Sequence, residues 1–361
     1  MTIRSSCPTP IATTNLSLAS GAASPRSPFA LVDLQHRHVE YLRVSVTDRC
    51  NFRCTYCMPS EGVEWLARDE LLTFDELETL VRQFVALGVR KLRLTGGEPL
   101  LRRGVVELVQ RLAGIPELVD VAMTTNGHLL EELALPLRQA GLHRLNVSLD
   151  TLDSRQFATL TRKGSLQSVL RGLDAADQAG FRHTKINAVM LRGLSEPSLS
   201  ELAEFCSDRD YILRCIEYMP IGTDEHWGPE TWLPIANVRE LLSLQWELTP
   251  DPQRQEPGGG PAVRWLAQHR QRPGRILKLG LIAAVSEKFC RDCNRVRLSS
   301  TGMLRECLST QGALSLRDLL RAGASPEVVR QAMTAALQGK VDAHRFDAAQ
   351  TTREAMSTIG G

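Results

Sequence analysis

The sequence predicts an α/β protein built as an incomplete, open β/α barrel of about six β-α units. Three observations carry this. Between residues 41 and 220, short β-like runs alternate with longer amphipathic stretches. Each unit takes about thirty residues, the length a helical crossover between parallel strands requires. Six units fall short of the eight that close a barrel, so the sheet stays open.

The elements follow in order. Residues 1–38 are rich in Ser, Ala, Thr and Pro, with Asp33 the first acidic residue and only Arg4, Arg26 and Arg37 as arginines. This composition predicts a disordered extension. It lacks the apolar core of a secretory signal. The expected location is the cytoplasm, or the mitochondrion if the extension is a transit peptide. The barrel is expected over 39–250. Its β-like runs are 41–47, 91–95, 119–125, 142–149, 184–191 and 211–218, and amphipathic stretches at 74–87, 105–112 and 129–139 lie between them. Gly88, Gly141 and Gly180 follow the ends of such stretches, where helix-ending glycines belong. Residues 251–274, with Gly258-Gly259-Gly260-Pro261, predict a linker or loop. Residues 275–361 form the expected C-terminal domain, with two helical patterns.

The strands are unusual in polarity. Parallel strands buried on both faces are nearly continuous in Val, Ile and Leu. Here Leu42, Val44 and Val46 alternate with Tyr41, Arg43, Ser45 and Thr47, and Leu92 and Leu94 with Lys91, Arg93 and Thr95. Leu145, Val147 and Leu149 alternate with Asn146, Ser148 and Asp150, while Lys185 and Asn187 share a face. Side chains alternate sides along a strand. The apolar set therefore packs under the helices, and the polar, cationic set lines the interior. Such a lumen is costly unless something polar fills it.

Charge excludes some functions. Lys and Arg number 43 against 41 Asp and Glu, a net charge of +2, so no global field favours nucleic acid or an anionic membrane. The apolar runs, such as 281–285, are too short for a transmembrane helix.

Cysteine carries the chemistry. Of nine cysteines, six fall into two tight groups, Cys50, Cys54 and Cys57, then Cys290, Cys293 and Cys307. Clusters of this kind read as metal or redox chemistry. Cys206 and Cys215 read as small buried hydrophobes, and Cys7 as incidental. The first group, Cys50-Asn51-Phe52-Arg53-Cys54-Thr55-Tyr56-Cys57, follows the first strand, at the sheet end where β/α barrels place active sites. Three thiolates suit three corners of a cuboidal iron–sulfur cluster and leave its fourth iron open. A structural zinc would want a fourth ligand, and none stands nearby.

This spacing, with an aromatic before the last cysteine, resembles the radical S-adenosylmethionine (SAM) superfamily. Thr95-Gly96-Gly97-Glu98-Pro99 after the second strand resembles its glycine-rich motif for the methionine amino group. The resemblance implies a 4Fe-4S cluster that binds SAM through its open iron and generates a 5′-deoxyadenosyl radical, which abstracts a hydrogen from substrate. The second group, Cys290-Arg291-Asp292-Cys293-Asn294-Arg295-Val296-Arg297 with Cys307 beyond, is ambiguous when taken alone. It fits a zinc knuckle, a closed relay cluster or an open cluster. With the terminal Gly360-Gly361, it resembles the GTP 3′,8-cyclase family of molybdenum cofactor biosynthesis.

That resemblance covers residue 41 to the C-terminus and implies the remaining assignments. A C-terminal iron–sulfur domain would cover the barrel's opening. Cys50, Cys54 and Cys57 would hold the SAM cluster, and Cys290, Cys293 and Cys307 a second 4Fe-4S cluster facing the guanine. Tyr56, Gly97, Ser148 and Met219 match SAM-contacting positions. Arg43, Arg93, Thr124, Lys185, Arg295, Val296 and Arg297 match GTP-contacting ones. Arg295, Arg297, Gly360 and Gly361 would serve catalysis. The product would be 3′,8-cyclo-7,8-dihydro-GTP. Expected partners are GTP, a flavodoxin- or ferredoxin-like electron donor and a downstream cyclic pyranopterin monophosphate synthase, with a homodimer as candidate assembly and no nucleic acid or membrane. The rivals are another radical SAM enzyme with an accessory cluster, such as a peptide-modifying one, and a zinc-stabilised binding module.

Overall fold

The computed structural model describes residues 30–221, 227–255, 260–312, 314–344, 346 and 356–359. Its centre is a parallel sheet of β1 (Tyr41–Ser45), β2 (Lys91–Thr95), β3 (Asp120–Thr125), β4 (Arg144–Ser148), β5 (Lys185–Met190) and β6 (Ile212–Glu217). Their helical crossovers are α1 (Phe74–Ala86), α2 (Val105–Ala113), α3 (Leu130–Gln139), α4 (Ser154–Thr161), α5 (Leu166–Gln178) and α6 (Ser195–Asp208). Local chemistry sets these boundaries. At α1, Thr73 accepts from the Glu76 amide and Glu76 accepts from the Thr73 amide at 2.8 Å, a reciprocal capping box. At its other end Gly88 takes a left-handed φ of 102°.

The alternation of the strands fixes their two faces. Leu42, Leu92, Val121 and Leu145 are buried with Leu77, Leu80, Leu108 and Leu112 of the helices in one core. The opposite set, Arg43, Arg93, Asn146 and Asn187, faces the interior of the curved sheet. The fold is thus the open α/β barrel expected of six units, with an unclosed sheet between two free edges.

Both edges are extended by later residues. After α7 (Ile235–Ser243) come β7 (Trp246–Gln255), β8 (Val263–His269) and β9 (Ile276–Ile282), and β9 pairs parallel to β6. β10 (Arg295–Leu298) pairs parallel to β1 at the other edge, followed by β11 (Met303–Arg305) and β12 (Leu314–Ser315). The helices α8 (Leu316–Arg321), α9 (Pro326–Leu337) and α10 (Met356–Ile359) complete the described chain.

Three expectations need correction. The 251–274 segment is not a loop throughout: the end of β7 and all of β8, which pair antiparallel, take up half of it. β7 is an edge strand, where Thr249 and Pro250 are tolerated and the apolar signal is weak. The expected C-terminal domain over 275–361 is not set apart from the barrel, because β9 to β12 continue the barrel sheet. Residues 30–38 do not belong with a disordered extension. Val32 bridges His38, Leu31 and Val39 are buried in the main core, and Arg37 pairs with buried Asp33 at 2.5 Å. Among the described residues no helix is long and apolar enough to cross a membrane.

Candidate active site

A cavity of about 290 Å³ opens at the C-terminal ends of β1 to β6. Cys50, Cys54 and Cys57 line one side, on the loop after β1. That loop is anchored: the Arg53 and Thr55 amides donate to Thr161 and Leu160 carbonyls at 2.9 Å each. The thiols are free of disulfides and partly buried. Burial pushes the Cys50 thiol up to about 11, and burial followed by repulsion from Cys57 raises Cys54. Thiols crowded this way are stabilised as thiolates only when something positive binds between them. Among the described residues no three His, Cys, Asp or Glu are arranged to hold a single metal ion. The three thiols border a shared opening, which suits ligands that bind separate irons of one cluster.

The glycine-rich turn after β2 packs directly on this loop. A Cβ on Gly97 would lie 2.4 Å from the Arg49 carbonyl oxygen, so only glycine fits. The Gly97 amide donates to the Thr47 carbonyl at 2.8 Å. Glu98 next to it is buried and accepts from the Leu100 amide (3.0 Å), the Thr125 hydroxyl (2.8 Å) and the Asn126 amide (2.7 Å). Burial nevertheless raises its carboxyl to about 7. Asn126 in turn donates to Asn51 of the cysteine loop at 2.7 Å. Tyr56 donates to Asp150 at 2.7 Å, and Asp150 also accepts from the Val189 amide at 2.8 Å. Burial lifts Asp150 to about 6.

The same cavity is bordered by a row of cations. Register places Arg297 of β10 beside Arg43 of β1, and Arg43 beside Arg93 of β2. All three line the cavity with Arg295 and Arg214. Burial, then repulsion from Arg297 and Arg93, holds Arg43 well below the ordinary arginine range. Burial and the neighbouring Arg295 bring Arg297 down to about 10. Several buried polar atoms on the walls have no hydrogen-bond partner, namely Arg93 Nε, Thr124 Oγ1, Asn187 Oδ1, Tyr218 OH, Arg295 Nε and Ser357 Oγ. Buried polar groups are normally satisfied. A cavity with this many open polar atoms, most of them donors, beside clustered cations is built for a polar, anionic ligand.

The remaining residues named from sequence fall at different distances from this cavity. Tyr56, Gly97, Thr124, Ser148 and Met219 line it. Lys185 is buried on β5 in register with Asn146 and lies outside the lining. Val296 is a correction: it pairs with Leu42 in the apolar row, and its side chain is buried in the outer core. Alternation dictates this, since Arg295 and Arg297 take the inner face. Cys290, Cys293 and Cys307 also lie outside the lining, adjoining it through Phe289, Arg295, Arg297 and Leu308. Burial pushes the Cys293 thiol up, yet the charges of Arg295 and Lys340 outweigh this and hold it at about 7. Gly360 and Gly361 lie outside the described residues, as does Cys7. Met356 and Ser357 of α10, just before the tail, line the cavity. Cys206 and Cys215 are fully buried among apolar side chains, as expected.

Comparison with known proteins adds the family. Residues 44–206 match the model described as the radical SAM superfamily, and residues 211–346 that of Molybdenum Cofactor Synthesis C. The chain is 42% identical to a GTP 3′,8-cyclase of Pelotomaculum thermopropionicum, over 91% of this chain and 99% of that one. It is 42% identical to one from Geobacter sulfurreducens, over 92% and 99%, and 44% identical to one from Pseudomonas putida, over 88% and 93%. The chain belongs to the GTP 3′,8-cyclase family. Among solved structures it resembles Streptococcus suis SuiB bound to its precursor peptide, with a TM-score of 0.56 and 16% identity, over 78% of this chain and 64% of that one. That likeness speaks to the fold.

Several residues that frame this cavity are not among those the sequence motifs assign. Arg214 lies on the inner face of β6 beside Asn187. Its signal was present, because Arg214 and Ile216 share a face of a strand already identified. Asp150 belongs to the polar set that strand alternation turns inward, whereas Asn126 and Tyr218 had no motif to mark them. They reach the site through strand ends that only the fold brings together.

Proposed function

We infer that the protein is a radical SAM cyclase that converts GTP to 3′,8-cyclo-7,8-dihydro-GTP in molybdenum cofactor biosynthesis. The observation that carries this reading is the arginine row that lines one cavity together with the three-cysteine loop. A SAM-cleaving centre and a polyanion site share a single enclosed space. The alternative peptide-modifying reading leaves that row without a purpose.

Cys50, Cys54 and Cys57 would hold a 4Fe-4S cluster, and their crowded thiols fit that load. When bound, the reduced cluster and SAM supply the hydrogen-abstracting 5′-deoxyadenosyl radical. Gly97 offers close backbone approach to the methionine end of SAM, and Tyr56, Ser148 and Met219 wall its path. Tyr56 is held in place by Asp150. Arg43, Arg93 and Arg297 take the triphosphate, with Arg214 and Arg295 beside them. Guanidinium forks bind phosphate oxygens in pairs. Thr124 supplies a free hydroxyl at the same wall. Lys185 adds positive potential from beneath, and Val296 contributes main-chain atoms only. Fixing GTP at both ends holds the sugar against the base, which removes much of the barrier to ring closure.

Cys290, Cys293 and Cys307 would hold a second 4Fe-4S cluster at the guanine end, within reach of Arg295 and Arg297. Gly360 and Gly361 would serve catalysis at this site, a reading supported by Met356 and Ser357 on its wall. A flavodoxin- or ferredoxin-like donor would supply electrons, a cyclic pyranopterin monophosphate synthase would take the product, the cytoplasm is the proposed location, and a homodimer is the candidate assembly.

The test incubates anaerobically reconstituted protein with reductant, SAM and either GTP or ATP. The reading expects 5′-deoxyadenosine together with loss of GTP and not of ATP. Formation of 5′-deoxyadenosine with both nucleotides intact would keep the radical machinery and discard the substrate.

A further inference from the structure

The second cysteine group is braced by two buried cations that the proposed chemistry leaves without a task. Lys340 follows α9 and is 3% exposed. Its ammonium donates to the Arg295 carbonyl at 2.7 Å and to the Glu306 carbonyl at 2.6 Å, and it reaches Cys293 Sγ at 3.7 Å. An ammonium has three donors and no acceptor, so these contacts use it fully. None of its bonds goes to a carboxylate. A buried ammonium without an opposing charge is costly. Among the described residues the thiols of Cys293 and Cys307 are the leading source of that charge, with the Glu306 carboxyl also nearby.

The two carbonyls matter by position. Arg295 stands two residues after Cys293, and Glu306 immediately precedes Cys307. A single side chain therefore ties together the two stretches of chain that carry these cysteines. Arg37 does the corresponding work for Cys290. Held by Asp33, it donates to the Cys290 carbonyl at 2.8 Å and to the Val341 carbonyl at 2.7 Å, next to Lys340 itself.

We propose that Lys340 is a positioning residue for the second cysteine triad, locking the Cys293 and Cys307 segments together and giving an N–H···S bond to Cys293. The proposal rests on the reading of Cys290, Cys293 and Cys307 as cluster ligands. Hydrogen bonds and positive charge at cluster sulfurs raise a reduction potential, and outer partners of metal ligands hold the metal. Lys340 therefore does two things to a bound cluster: it slows iron loss and raises the potential.

The test uses the full chain with Cys50, Cys54 and Cys57 replaced by Ala, so that only second-triad iron is read. Lys340→Met and Lys340→Arg are added to it. After anaerobic reconstitution, iron release to a chelator and the potential by spectroscopic titration are measured. Lys340→Met is expected to release iron about ten- to a hundredfold faster and to titrate at a lower potential. Lys340→Arg should recover most of both. Equal release and potential in Lys340→Met overturn the proposal. So does a lower melting temperature of the iron-free chain with both cluster readouts unchanged, which marks a merely structural lysine. Should Lys340→Met fail to fold, Lys340→Gln, which loses the charge but keeps an amide donor, is read the same way. If the parent with Lys340 intact binds no iron at all, it is the second-cluster reading that has failed, and the proposal falls with it.

Discussion

Asp150 offers a sharp test of how the site is built. Its carboxyl sits at about 6 against an ordinary 3.8, because burial at the cavity wall outweighs its bonds from Tyr56 and the Val189 amide. The sign follows from linkage. A carboxyl whose folded value lies above its unfolded one penalises the fold when charged. The penalty is absent below the unfolded value and complete above the folded one. A shift of about two units amounts to at most ~3 kcal/mol, reduced by water in the cavity that Asp150 faces. Asp150→Asn removes the charge, keeps the oxygen that accepts from Val189 and leaves Tyr56 a partner. The stronger bond it loses, ~1 kcal/mol, does not vary with pH. The iron-free variant should therefore gain stability relative to the parent as pH rises from 5 to 7.5, by up to ~1.4 kcal/mol. Denaturant unfolding of both chains at the two pH values, under reducing conditions, measures this. A stability difference that stays constant or shrinks between those pH values refutes the argument.

Other outcomes follow from the same geometry. Gly97→Ala puts a methyl against the Arg49 and Asp48 carbonyl oxygens, so reductive SAM cleavage should fall by more than about tenfold, read as 5′-deoxyadenosine formed per cluster. Arg93→Met removes a charge-assisted bond to phosphate, ~1.5–3 kcal/mol, and should weaken GTP binding by about ten- to a hundredfold while SAM cleavage persists. Unchanged GTP affinity by calorimetry would move the triphosphate elsewhere. Cys290→Ala should halve the iron content after reconstitution, whereas Cys206→Ser, buried in the outer core, should leave it intact. Colorimetric iron analysis separates the two.

Much of the fold was legible because its rules are local. The alternation of β-like and helical runs located all six barrel strands to within about two residues, and polarity alternating at period two assigned Arg43 and Arg93 to the interior. The cysteine and glycine motifs sit on the loops that those strands predict. What sequence could not supply was pairing between distant segments. Nothing local says that β10 lies against β1, yet that register sets Arg297 beside Arg43 and completes the cation row. The same pairing buries Val296 against Leu42 and turns its side chain away from the inner face. β7 and β8 were hidden because an edge strand tolerates Pro250 and polar residues that mark loops elsewhere. Arg37 was read with an extension. Its partners are Asp33, nearby in sequence, and the distant Cys290 and Val341 carbonyls, which only the folded chain brings to it.

The central claim is that one cavity joins SAM cleavage to GTP. The most direct measurement supplies GTP deuterated at the ribose 3′ carbon to the anaerobically reconstituted, reduced protein with SAM, and follows the label by mass spectrometry. The account predicts deuterium in 5′-deoxyadenosine and a cyclised nucleotide in equal amount. Unlabelled 5′-deoxyadenosine, with the deuterated GTP recovered whole, would contradict it.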